Sequence, residues 1–223
     1  NLISPIVEFL ENALGKGVVY AKDTPNFIAN RIGVYGMMAT LEAAYNMKLS
    51  IEDVDSLTGT LIGRPKSATF RTADIVGLDT MCFVANTAYE KCLDDPERDK
   101  FIIPDYLQKM VKNEWLGQKS NQGFYKKIDK GVIHSIDLQT LEYSPQNKKR
   151  YSGIGLAKEH MIIGDKIKAL IKSDDIAGDF IWEITASTIL YSAGRLGDIA
   201  NDIINIDRAM RWGFGWSMGP FEV

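Results

Sequence analysis

Histidine and cysteine are nearly absent, two of each in 223 residues. No pair of them stands at ligand spacing, which removes a metal centre from the chemistry expected here. Cys82 and Cys92 lie ten residues apart along one apparent helix, too far for a bridge, so both are expected as reduced, mostly buried thiols. A Gly-x-Gly-x-x-Gly is missing as well. Gly153-Ile154-Gly155 imitates it before a helix but lacks the third Gly and the acidic residue on a following strand. No apolar run reaches membrane-spanning length, and no signal-peptide pattern opens the chain. Basic residues are not in excess: a net charge of -3 leaves no footprint for nucleic acid, and Lys148-Lys149-Arg150 in a polar connector is a solvated loop. These absences predict a soluble cytoplasmic protein without a metal, a nucleic-acid partner or a membrane span.

What the chain does carry is helix after helix. Thr24 as cap and Pro25 as first helical residue predict an abrupt helix start, and Phe27, Val34, Met38, Leu41 and Tyr45 recur at helical spacing. Asn30 falls on that same apolar stripe, where an amide needs partners. Ser50 with Asp53 predicts a capped helix from Ile51 towards Gly59. Further helices are expected over 73–92, from Pro104 onward, over 156–171 and over 179–196. Phe124 to Ile128 and Val132 to Ile136, joined at Asp129-Lys130-Gly131, predict a β-hairpin. Before all this, Pro5 to Leu14 predicts a short helix and Gly17 to Ala21 a strand. Asn1 in place of Met, and Gly219-Pro220-Phe221-Glu222-Val223 at the other end, give both termini a cut look.

Asp23-Thr24-Pro25-Asn26-Phe27-Ile28-Ala29-Asn30-Arg31 resembles the start of the C-terminal domain of the 3-hydroxyacyl-CoA dehydrogenases of fatty-acid β-oxidation. The family pattern there is Asp-Thr-Pro-Gly-Phe-x-x-Asn-Arg, and the departure is Asn26 in place of Gly. Gly63-Arg64-Pro65-Lys66-Ser67-Ala68-Thr69-Phe70-Arg71-Thr72-Ala73-Asp74, Val76-Gly77-Leu78-Asp79 and Lys119-Ser120-Asn121-Gln122-Gly123-Phe124-Tyr125 follow in the family's order. The resemblance implies a mainly α fold, a duplicated helical domain like the C-terminal domain of 6-phosphogluconate dehydrogenase, with one hairpin and a remnant helix and strand of a Rossmann domain at the N-terminus. It divides the chain into 1–23, the tail of an NAD-binding domain; 24–126, a first helical domain; 127–153, hairpin and linker; and 154–223, a truncated second copy.

An internal repeat supports the duplication: Phe180-Ile181 matches Phe27-Ile28, Asp202 matches Ser50, Ile206-Asp207 matches Val54-Asp55, Gly215 matches Gly63 and Phe221 matches Phe70. Glu183 stands where the first copy has Asn30. The family's catalytic His and its Glu belong to the NAD-binding domain, and neither His134 nor His160 has their context. Asn30 is therefore the catalytic candidate, placed by the resemblance beside the reacting C3 oxygen. Arg31 either supports Asn30 or pairs with a carboxylate in the packing between domains, the structural reading being favoured; Lys66 and Ser67 belong to a motif that the resemblance places near the acyl-CoA cleft, and a helix-connecting loop explains them as well. The implied partners are an acyl-CoA substrate, the chain's own NAD-binding domain, an enoyl-CoA hydratase domain in the same polypeptide, and a second copy in a homodimer. NAD is implied for the missing N-terminal domain, so the fragment alone is expected to be inactive. A non-catalytic helical interaction or dimerisation module is the alternative; another β-hydroxyacid or sugar-acid dehydrogenase is disfavoured by Lys66 to Phe70 and Gly123 to Tyr125.

Overall fold

Asn26 and Phe27 both hold left-handed backbone, φ 67° and 49°, and a right-handed helix does not run through such residues. The first long helix therefore begins at Ala29 and not at Pro25. Thr24 closes a turn instead of capping, its carbonyl accepting from the Phe27 N–H at 3.0 Å. Gly takes positive φ without penalty and Asn is among the next most tolerant residues. That explains why Asn26 can stand where the resembling family carries Gly. Its Nδ2 also donates to the Val84 carbonyl at 2.9 Å. The computed structural model describes residues 2–223, Lys130 by its backbone alone. Asn1, where the sequence opens without Met, lies outside the described residues.

The architecture is mainly α, as expected. Among the described residues ten α-helices run in order: α1 (Ile3–Glu8), continued by a π-helical turn over Phe9–Ala13, α2 (Ala29–Asn46), α3 (Ile51–Leu57), α4 (Phe70–Val76), α5 (Leu78–Lys91), α6 (Asp105–Lys112), α7 (Ser152–Lys158), α8 (Ile163–Ile171), α9 (Ile176–Gly194) and α10 (Ile203–Phe214). Two of the expected helices are broken. Gly77, at φ 99°, separates α4 from α5 where one helix over 73–92 was expected, and residues 159–162 separate α7 from α8. The hairpin forms, with Tyr125 of β1 (Tyr125–Lys127) opposite Ser135 of β2 (Ile133–Ile136). A third strand, β3 (Tyr143–Pro145), extends it antiparallel to β2. Residues 17–21 form no strand. A strand needs a neighbour for its backbone groups, and this segment finds other partners instead: Tyr20 N donates to Oδ1 of Asn205 on α10 at 2.8 Å, and just beyond it Lys22 N donates to the carbonyl of Ile199, in the turn after α9, at 2.9 Å.

Helix α2 is the spine of the core. It packs most extensively on α9 and also meets α5 and α10, so it is buried nearly all round, with Ile32, Leu41 and Ala44 wholly enclosed. The positions paired by the repeat carry the same local structure. Ser50 Oγ accepts from Asp53 N (3.2 Å) to cap α3, and Asp202 Oδ1 accepts from Asn205 N (2.8 Å) to cap α10. Asp55 holds the Phe70 N–H at 2.7 Å, as Asp207 holds that of Phe221 at 2.9 Å. Gly63 and Gly215 both end their helices in left-handed backbone, φ 72° and 67°. The two corners touch: Ser217 N donates to the Gly63 carbonyl at 2.7 Å and the Arg64 guanidinium lies over Trp216. Between the two halves the connector is strapped to α3 through its backbone, Asn147 N to Glu52 Oε1 (2.7 Å) and Lys149 N to Asp53 Oδ1 (2.9 Å).

Candidate functional site

Asn30 lies in the first turn of α2 with its side chain exposed. The stripe drawn from Phe27 to Val34 would have buried it. The left-handed turn at 26–27 breaks that phase: Phe27 falls outside the helix and is 57% exposed, while Ile28 and Ile32 take the core positions. Among the described residues the Asn30 amide has no hydrogen-bond partner, so its donors and acceptor are free for a group brought to this face. Glu183, its counterpart in the repeat, is also exposed, on α9. The counterparts Phe27 and Phe180 differ, the latter being fully buried, whereas Ile28 and Ile181 are both enclosed.

Arg31, one residue on, points the opposite way into a buried polar cluster. Its Nε donates to the Tyr191 hydroxyl at 2.6 Å, one terminal nitrogen to Cys92 Sγ, and the other to Asp95 Oδ2 at 2.5 Å. Tyr191 also donates to Asp95 Oδ2 (2.7 Å), and Arg195 stands 3.4 Å from Asp95 Oδ1. The Tyr191 ring stacks on Tyr35 at 3.7 Å between centroids. Burial pushes the Asp95 carboxyl up, but the Arg31 and Tyr191 hydrogen bonds outweigh it and hold the group below its ordinary value. Burial raises the Cys92 thiol despite Arg31, so it is not an activated nucleophile. Cys82 is buried and free as well. This cluster joins α2, the loop after α5 and α9, and it gives Arg31 the packing role expected of it.

Other candidates fall elsewhere. Lys66 is exposed, and Ser67 Oγ is engaged by the Thr72 hydroxyl at 2.7 Å. His134 is half-buried on β2 and His160 exposed between α7 and α8. The Gly153-Ile154-Gly155 segment does not fit a dinucleotide phosphate. The N-terminus of α7 is already held by a carboxylate, Asp175 Oδ2 accepting from Ser152 Oγ (2.8 Å) and Gly153 N (3.2 Å), and a Cβ on Gly153 would meet Ser173 Oγ at 2.5 Å. No group of three His, Cys, Asp or Glu side chains among the described residues could hold a metal ion. No described helix is long and apolar enough to cross a membrane.

A family profile described as 3-hydroxyacyl-CoA dehydrogenase, C-terminal domain, matches residues 27–127. Those residues belong to that family. The whole chain is 51% identical to a Bacillus subtilis (strain 168) protein named as a probable 3-hydroxyacyl-CoA dehydrogenase, covering 28% of that protein. It is 28% identical, again over its full length, to a Rickettsia felis protein whose name gives it as a fatty acid oxidation complex trifunctional enzyme, covering 30% of it. The chain thus spans less than a third of the length of these relatives. Its fold is also that of a crystal structure of 3-hydroxybutyryl-CoA dehydrogenase from Escherichia coli K12, with a TM-score of 0.57 and 18% identity over 93% of this chain and 54% of that one.

Proposed function

We propose that this chain is the substrate-binding and assembly half of an NAD-dependent 3-hydroxyacyl-CoA dehydrogenase, acting in fatty-acid β-oxidation. The observation that carries the reading is Asn30, an unpartnered amide on an exposed turn, inside a motif and a 223-residue stretch shared at 51% identity with a relative named for that activity. In this reading Asn30 hydrogen-bonds the substrate's C3 oxygen, or the catalytic imidazole beside it, and holds the hydroxyl in line to lose its proton while C3 gives up its hydride. The hydride acceptor is NAD, bound by a domain ahead of residue 24 of which 1–23 are the tail, because residues 24–223 offer no cradle for it. Residues 24–126 and 154–223 form two copies of one helical domain, the second stripped of the active-site amide at Glu183. An enoyl-CoA hydratase domain in the same polypeptide fits the trifunctional name of the Rickettsia felis relative.

The buried Arg31–Asp95–Tyr191–Arg195 cluster favours a second duty, assembly, since it ties the two copies as a dimer interface would. The test is steady-state kinetics of the complete enzyme with acetoacetyl-CoA and NADH. Asn30→Ala should lower turnover roughly a hundredfold or more, about 2–4 kcal/mol of transition-state stabilisation, with a smaller change in KM. Glu183→Ala should leave turnover nearly intact. Equal losses in both, or none in Asn30→Ala, would return the chain to a purely structural module.

A further inference from the structure

We infer that the second helical copy clamps the segment leading to Asn30, with Asn205, Trp212 and Phe214 as positioning residues. The inference rests on the function proposed above. Residues 17–22 form neither helix nor strand, and contacts from the far end of the sequence hold them. Asn205, only 8% exposed, gives its Nδ2 to both carboxylate oxygens of Asp202, at 3.1 and 2.9 Å, which aims Oδ1 at the Tyr20 N–H. Two residues on, the Ile199 carbonyl takes the Lys22 N–H, and the Gly197 carbonyl takes the Lys22 ammonium. The Trp212 ring lies so close on Gly17 that a Cβ there would stand 2.4 Å from it.

The same helix then reaches the turn that bears Asn30. A Cβ on Gly33, three residues past Asn30, would stand 2.2 Å from the Phe214 ring, and one on Gly213 would stand 3.4 Å from the Cβ of Ala29. Helix α10 thus holds the approach segment through Asn205 and Trp212, two turns apart on one side, and the residues on either side of Asn30 through Gly213 and Phe214 at its C-terminal end. A short irregular stretch without sheet partners would otherwise swing, and a displacement of about 1 Å at a reacting group can cost a hundredfold in rate. The lost amide at Glu183 and the retained contacts of Asn205, Trp212 and Phe214 fit one role: the second copy sets the angle at which whatever precedes residue 17 meets Asn30.

The test uses Trp212→Ala, Trp212→Phe and Asn205→Ala. In the complete enzyme, Trp212→Ala should lower kcat about tenfold with KM changed less than about twofold, and Trp212→Phe, which keeps a ring on Gly17, should restore most of the loss. In the 223-residue chain, amide hydrogen exchange at Tyr20 and Lys22 should accelerate in Asn205→Ala while protection within α2 stays as in wild type. Wild-type kcat in Trp212→Ala, or unchanged exchange at Tyr20, overturns the clamp. Asn30→Ala, assayed alongside, separates the two readings: its failure to slow turnover sinks the proposed function, whereas a loss there with none in Trp212→Ala sinks the clamp alone.

Discussion

Asp95 holds together more of the molecule than its place in a loop suggests. It faces Arg31 and Arg195, accepts from Tyr191, and takes the Glu97 N–H at 3.0 Å. Removing one member of a buried, hydrogen-bonded charge cluster leaves the others uncompensated. Asp95→Asn should therefore cost about 3–5 kcal/mol in chemical denaturation at neutral pH. Because the carboxyl is held below its ordinary value of 3.8, its contribution is present above that pH and is lost as pH falls through the folded-state value. The stability gap between wild type and Asp95→Asn should accordingly narrow below about pH 4; a gap independent of pH would contradict it. Arg31 was legible as a structural cation from its neighbours in sequence. Its partners were not, because Asp95 and Tyr191 lie 64 and 160 positions away and only the tertiary fold brings them to one nitrogen fork.

At the scale of elements, what was legible was local. Ser50 and Asp202 each cap a helix through a bond three residues long, so the pattern that predicts them is complete within four residues. The start of α2 was misread for the converse reason: Thr24-Pro25 is a good helix opening, but two left-handed residues intervene, and nothing at Phe27 announces a positive φ. Asn30 reads in the sequence as a buried amide on the apolar stripe that starts at Phe27, whereas the structure leaves it exposed in the first turn of α2, with Phe27 outside the helix. Strand β3 escaped notice because a short polar edge strand lacks apolar alternation. The left-handed turn supplies its own prediction. Asn26→Ala loses the bond to Val84 and places a Cβ-bearing residue of low αL tolerance at φ 67°, which should cost about 2 kcal/mol in thermal or urea unfolding. Asn26→Gly should lose less, since it gives up the hydrogen bond but not the conformation.

For the whole molecule, the two halves of the chain are bound by a polar cluster at one place and by the Gly63 and Gly215 corners at another, and neither contact leaves a cradle for a dinucleotide. Calorimetric titration of residues 1–223 with NAD should therefore show no binding; micromolar affinity would mean that the chain contains a cofactor site of another kind. The packing of Gly17 and Tyr20 on α10 was hidden, because a tail expected to be a strand has no pattern that names a helix 185 positions later as its partner.

The connector between the two halves is held by Glu52 and Asp53 through the N–H groups of Asn147 and Lys149, and every residue except proline offers that group. Its attachment is blind to side chains. Related chains can therefore drift freely through Lys148-Lys149-Arg150, changing charge and size without moving the second half, so long as the two acids persist and the number of residues between them and Tyr151 stays the same. A deletion there would do what no substitution short of proline does: shift the register and pull the second half off its seat.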